Sequence, residues 1–178
     1  MQWASAREEG DVVKKSWVVL VVLVVLFLSV LGGGTAFART ADLFISARPS
    51  DLNQGWQPST VSPELMYIPQ GQRVWVAPSG TWSNGSDRLV GAQGYTASQS
   101  TGFMPYCKYP RTQNLPFGRL IAMTRVSSTD FKIWDAGHAG YIRGPGYLFF
   151  RINERNGQCL DNNFGDLDVR ITGGFVYK

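Results

Sequence analysis

Alternation of apolar and polar residues predicts strands over most of the C-terminal part of the chain. In the segment 147–152, one face of a strand carries Leu148, Phe150 and Ile152. In the segment 166–171, one face carries Leu167, Val169 and Ile171, and the other carries Asp166, Asp168 and Arg170. The second pattern is typical of a strand packed on one side only. We expect these segments to form an antiparallel pair joined by a long polar loop.

Further short apolar runs, separated by Gly, Pro and Asn turn signals, predict an all-β domain. They are the segments 41–47, 73–77, 117–124 and 131–134. Trp56 is expected to pack inward, whereas 91–116 lacks apolar periodicity and is predicted to be irregular. Neither a helical period nor a βαβ rhythm is present, so residues 39–178 are predicted to form one β-sandwich or jelly roll.

The N-terminal region has a different character. Residues 16–38 carry no charge, and the run is long enough to cross a bilayer of about 30 Å as a helix. We interpret 16–38 as one transmembrane helix that follows a cytoplasmic tail, 1–15. Lys14 and Lys15 place the N-terminus in the cytoplasm, which puts the C-terminal domain on the periplasmic, extracytoplasmic side of an inner membrane. The alternative is a signal peptide cleaved after Ala36-Phe37-Ala38.

Composition and charge exclude several classes of function. A net charge of +4, with no cluster of Lys and Arg on any periodic face, does not indicate a nucleic-acid partner. The sequence contains no His-Glu-x-x-His, Gly-x-Ser-x-Gly or Walker motif, and its single His138 lies in a Gly-rich turn, so we do not expect an enzyme. The two cysteines, Cys107 and Cys159, favour one disulfide in an exported domain.

The loop between the last two predicted strands is rich in side chains that carry oxygen. It contains Glu154, Asn156, Gln158, Asp161, Asn162 and Asn163. Calcium takes six to eight oxygen ligands from such groups, so the loop is a candidate calcium site. The alternative is an ordinary solvated loop, because Asn, Asp and Gly are common turn residues.

Several motifs in order along the exported domain resemble the PA-I-type galactophilic lectins of bacteria, which are small calcium-dependent β-sandwiches. They are Gln72-Arg73-Val74-Trp75-Val76 with Ser79-Gly80-Thr81-Trp82, then Gly91-Ala92-Gln93-Gly94, Gly118-Arg119-Leu120-Ile121-Ala122-Met123, Gly146-Tyr147-Leu148 and Ile152-Asn153-Glu154. The resemblance implies a galactose-binding-like β-sandwich. It also implies that the segment before Leu120 and the loop after Glu154 lie side by side, where a Cys107–Cys159 bridge would join them.

The same resemblance implies the positions of the ligands. The calcium ligands fall on Glu154, Gln158, Asp161 and Asn162, with Asn84 as the expected backbone carbonyl donor. The sugar-contacting segment of the galactose binder falls on 98–101, where this chain has Ser98 and Thr101 in place of a His and a Gln. Loss of those groups removes hydrogen bonds that would select galactose.

Two non-enzymatic functions follow. The first is an accessory interaction subunit of a larger membrane complex, such as a respiratory or photosynthetic assembly, in which the loops dock against other subunits. Its expected anchors are Tyr106, Tyr109 and Arg111, since aromatic and Arg side chains dominate interface centres. The alternative is a working calcium-dependent lectin, secreted or surface-anchored, that captures glycans.

Overall fold

In the computed structural model, the described part of the chain forms ten strands in two antiparallel sheets. The structure describes residues 38–48, 56–59, 64–85, 88–96, 108–155, 159 and 162–178. The strands are β1 Arg39–Ser46, β2 Gln57–Pro58, β3 Met66–Ile68, β4 Arg73–Ser83, β5 Leu120–Arg125, β6 Phe131–Asp135, β7 Gly140–Arg143, β8 Gly146–Ile152, β9 Phe164–Gly173 and β10 Val176–Tyr177. A single turn of 3₁₀ helix covers Pro110–Thr112.

The two sheets have different strand orders. The four-stranded sheet runs β1-β9-β4-β7, and the six-stranded sheet runs β10-β3-β8-β5-β6 with β2 also paired to β8. Every pairing is antiparallel. These strands confirm the predicted all-β architecture of two sheets.

The main core lies between the sheets and follows the alternation seen in the sequence. In β9, Leu167, Val169 and Ile171 are fully buried, while the intervening polar residues are exposed. They pack with residues from the inward face of the other sheet, including Leu148, Phe150 and Ile152 of β8. Burial of apolar side chains on facing strands is what stabilises a sandwich, at about 25 cal/mol per Å² removed from water.

The predicted pairing of the last two long strands is wrong, because β8 and β9 belong to different sheets. β8 is central in its sheet and is buried on both faces, so Phe149 and Arg151 are covered as well as the apolar residues that alternate with them. A second apolar cluster on its outer face holds Trp56, Ile121, Met123 and Phe149, with Tyr109 and Leu115 packed against it. Trp56 is thus buried as predicted, and the section before β5 partly covers this face.

Other boundaries also differ from those predicted. β4 extends to Ser83 rather than ending at Ala77, and the Gly-rich region after Gly137 contains an edge strand, β7. Within the described ranges, no helix is long and apolar enough to cross a membrane. The predicted transmembrane segment 16–38 lies outside those ranges except for Ala38, and it stays a prediction.

Candidate cation-binding site

One end of the sandwich brings together the residues that follow β8 and β4 and those that precede β9. Asn153 and Glu154 come directly after β8, and Asn162 and Asn163 come directly before β9. β9 begins opposite the end of β4, with Phe164 paired to Ser83, so the residues beyond these strand ends meet at one edge. The site is therefore built by three strand ends rather than by one loop.

Glu154 is the central ionisable group of this end. Its side chain is fully buried, and its Oε2 accepts a hydrogen bond from Asn163 Nδ2 at 2.7 Å. Its other oxygen, Oε1, is buried with no hydrogen-bond partner among the described residues. Burial raises the pKa of Glu154 from 4.5 to about 8, although the Asn163 hydrogen bond and the charge of Arg151 act in the opposite direction. A carboxyl group in this setting is largely protonated at neutral pH unless a cation compensates its charge.

Asn163 supplies a second oxygen without a partner. Its Nδ2 donates to Ala47 O at 3.0 Å and to Glu154 Oε2, and these two acceptors fix the orientation of the amide. Asn163 Oδ1 is left buried with no donor in the described part of the chain. Buried polar atoms are nearly always hydrogen-bonded, and each exception costs about 1–3 kcal/mol, so two such oxygens on contacting side chains need an explanation.

Arg151 fixes the backbone on which Glu154 is placed. Its side chain is fully buried, its Nε donates to Ile152 O at 3.1 Å, and its Nη2 donates to the backbone oxygen of Glu154. The guanidinium lies against two rings, 4.5 Å from the centroid of Tyr109 and 5.4 Å from that of Trp56. Burial lowers the pKa of Arg151 to about 10, which leaves it charged at neutral pH.

Asn153 ties the neighbouring segment to the same site. Its buried side chain accepts a hydrogen bond from Thr112 Oγ1 at 2.5 Å and donates to Pro116 O at 2.8 Å. The segment around the 3₁₀ turn is therefore held against the end of β8 by one amide. Asn153 orients the chain next to Glu154 and presents no oxygen to a ligand.

Two of the predicted ligand positions meet at the same edge. The side chain of Asn162 is exposed and lies against Gly85, where an added Cβ would collide with it. Gly85 has φ of +85°, a conformation that favours glycine, so this close approach depends on the glycine. Asn84 is buried beside it, and its backbone N–H donates to Tyr95 Oη at 3.1 Å.

The remaining predicted residues have mixed outcomes. Tyr109 is half-buried against Trp56 and Arg151, and Arg111 is exposed with its guanidinium 4.5 Å from the centroid of the Phe131 ring. Cys159 is half-buried, and no free cysteine is found among the described residues. Six predicted residues lie outside those residues, so their roles stay predictions: Gln158, Asp161, Ser98, Thr101, Tyr106 and Cys107.

Asn163 was predicted as part of the oxygen-rich loop but not as one of the calcium ligands. The motif placed the ligand pair on Asp161 and Asn162, whereas the side chain that contacts Glu154 belongs to the next residue. The available signal was the position of Asn163 directly before β9, at the strand end that meets Ser83.

The types of oxygen at this end of the sandwich indicate which cation would fit. No group of three or more His, Cys, Asp and Glu side chains converges within the described ranges, and Glu154 is the one carboxylate in this set. The other candidates are amide and backbone oxygens, which suit a hard cation such as calcium and not zinc. Glu154 and Asn163 each present a buried oxygen that has no hydrogen-bond donor among the described residues, and both oxygens are of the kind that calcium takes.

Comparison of the chain with models of known protein families, and with the sequences of curated proteins, finds no match. The similarity to the galactophilic lectins therefore rests on the short motifs alone.

Proposed function

We propose that the domain is a non-enzymatic binding module that holds calcium at the loop end of the sandwich and captures a glycan there. The observation that carries this proposal is the buried carboxyl of Glu154. Its Oε1, and the Oδ1 of the Asn163 that it contacts, have no hydrogen-bond partner among the described residues. A solvated turn would expose these oxygens to water and would not need the ordering contacts of Arg151.

Calcium would supply positive charge at Glu154 and open coordination positions for the hydroxyl oxygens of a sugar. Glu154 and Asn163 would hold it, with Asn84 and Asn162 at the same edge and Gln158 and Asp161 as further predicted donors. Ser98 and Thr101 remain the predicted sugar contacts. Because neither carries the groups expected to select galactose, we expect a glycan other than terminal galactose to bind best.

A glycan array with the full-length chain in detergent tests this proposal. We expect binding in calcium that is lost with a chelator and lost in Glu154→Gln, which keeps the size of the side chain and removes its charge. Glu64→Gln is the matched control, because Glu64 is exposed. Glycan binding that persists in chelator, or in Glu154→Gln, would contradict the proposal.

A second candidate function is the docked subunit of a membrane assembly, anchored by 16–38. An exposed aromatic surface on the outer face of the four-stranded sheet favours it. Phe44 is 79% exposed and Tyr141 50% exposed, and Trp75 packs edge-on against Tyr141 with 4.9 Å between the ring centroids. Exposed aromatic side chains of this kind are enriched at the centres of protein interfaces.

Purification from native membranes in mild detergent tests the second candidate. Stable co-purification of other subunits that is lost in Phe44→Ser and Trp75→Ser, and retained in Thr40→Ser on the same face, would support docking. N-terminal sequencing of the mature protein that begins at Arg39 would exclude the anchor. Of the residues predicted at the centre of the interface, Tyr106, Tyr109 and Arg111, the last is exposed. Arg111→Gln tests its contribution by the same co-purification.

A further inference from the structure

A groove of about 350 Å³ lies at the other end of the sandwich from Glu154, beside the edge strands β6 and β7. Leu120 pairs with Ile152 at the Glu154 end of the β5–β8 ladder, whereas Arg125 pairs with Tyr147 at the groove end. A strand rises about 3.3 Å per residue, so the seven residues of β8 place the groove on the order of 20 Å from the cation site. None of the residues that line the groove belongs to the candidate cation-binding site.

Three cations at this end of the molecule form no ion pair with another described residue. Lys132 and Arg143 line the groove, and Arg143 is the register partner of Arg73 on β4. Like charges directly opposite each other in an antiparallel ladder repel. The ion pairs between described residues are Arg119–Asp135 and Arg170–Asp42, and neither includes these three cations. An anion bound between Lys132 and Arg143 would relieve this repulsion.

Other groups in the groove indicate more than a simple anion site. Asp130 also lines it, and its carboxylate has no ion-pair partner within the described ranges. It would repel a bare phosphate or sulfate but would accept hydrogen bonds from hydroxyl groups. Lys132 Nζ lies 4.0 Å from the centroid of the Trp134 ring, so the ammonium covers a face of the indole and is held at the groove.

We propose that this groove binds an acidic sugar unit such as a hexuronic acid, with its carboxylate on Lys132 and Arg143 and its hydroxyls on Asp130. The volume is at the lower end of the range for small-molecule sites, which suits one sugar ring and not a larger ligand. Two cations on one carboxylate give charge-assisted hydrogen bonds. Asp130 can accept hydrogen bonds from hydroxyl groups, so it favours a sugar acid over an organic acid that has no hydroxyl groups. This site does not require calcium, so it is independent of the function proposed for Glu154.

Calorimetric titration of the full-length chain in detergent, with a chelator present, tests the assignment. We expect D-glucuronate to bind and D-glucose, which has the same ring without the charge, not to bind. Loss of one charged hydrogen bond should weaken binding about tenfold in Arg143→Gln and in Lys132→Gln. Arg48→Gln is the control of equal charge change, because Arg48 is exposed at the end of β1, beyond the strand end that pairs with Asp166.

Three results would overturn the assignment. They are equal binding of glucose and glucuronate, binding of inorganic phosphate as tight as that of glucuronate, and unchanged glucuronate affinity in both groove variants. If Arg143→Gln fails to fold, Lys132→Gln alone tests the expected tenfold loss. Because the titration contains chelator, glucuronate binding can be found when calcium-dependent glycan binding fails. Calcium-dependent glycan binding can likewise be found when glucuronate does not bind.

Discussion

Glu154 determines how the stability of the domain should depend on pH. Its folded pKa of about 8 lies above its unfolded value near 4.5, so between these values the folded state holds a proton that the unfolded state has released. The free energy of unfolding should therefore fall as pH rises from 4.5 to 8 and then level off. Urea unfolding in chelator at several pH values measures this slope, which should flatten in Glu154→Gln and persist in Glu64→Gln. A slope of the same size in Glu154→Gln would contradict the assignment.

Calcium binding should release protons from the same residue. Near pH 7 the apo carboxyl is mostly protonated, and a bound cation requires it ionised, so about one proton should leave for each ion bound. Calcium affinity should consequently rise with pH until about 8. Calorimetry in buffers of different ionisation enthalpy measures the released protons, and Glu154→Gln should release none. Calcium binding with no proton release would show that the ion lies elsewhere.

At the residue scale, the sequence pointed to Glu154 as a calcium ligand but not to Asn163 as the side chain that contacts it. An acid after Asn at a strand end is visible in the sequence, since Ile152 ends an alternating run. Which of two adjacent asparagines faces that acid depends on the path of the backbone through 156–161, and no periodicity constrains such a loop. Asn162 therefore turns towards Gly85 and Asn163 towards Glu154, one residue later than the motif implied.

At the scale of elements, alternation predicted the strands and their inward faces but not their neighbours. A period of two shows which side of β9 is buried and contains no information about the strand beside it. The burial of β8 was harder to predict, because both of its faces are covered and Arg151 is buried among aromatic rings. The burial of Arg151 could not be predicted from the sequence, because Arg is almost never fully buried without partners.

Asn153 should be the residue on which the segment before β5 most depends. Asn153→Ala would leave Pro116 O without its donor and would leave Thr112 Oγ1 with the longer hydrogen bond to Tyr109 O alone, which should cost roughly 1–3 kcal/mol of folding free energy. Chemical denaturation measures the loss, and hydrogen exchange should show faster exchange at Thr112 and Leu115, whose amides bond within the turn. Asn114→Ala is the control, because Asn114 is exposed. Equal destabilisation by the two variants would refute this role.

At the scale of the whole molecule, the sandwich separates two regions of different chemistry. A buried acid whose pKa is raised to about 8 lies at one end, and a groove lined by two cations and one carboxylate lies at the other. The oxygen-rich segment of the first region is visible in the sequence, because Glu154, Asn162 and Asn163 lie within ten residues of one another in the chain. The sequence did not predict the second region, since Asp130, Lys132 and Arg143 come together only through the packing of two edge strands.

The predicted Cys107–Cys159 bridge connects the cation site to the irregular section before β5. Cys159 lies between Glu154 and Asn163 in the chain, so a bridge would restrict the loop that carries the cation site before any ion binds. Such a bridge would close a loop of roughly fifty residues, for which chain entropy gives on the order of 4 kcal/mol of stability. Reduction should therefore lower the melting temperature and weaken calcium binding together, whereas a Cys107→Ser, Cys159→Ser double variant should be insensitive to reductant. Two thiols that alkylate without prior reduction would refute the bridge, and a calcium affinity unchanged by reduction would show that the loop is ordered by the contacts of Arg151 and Asn153 instead.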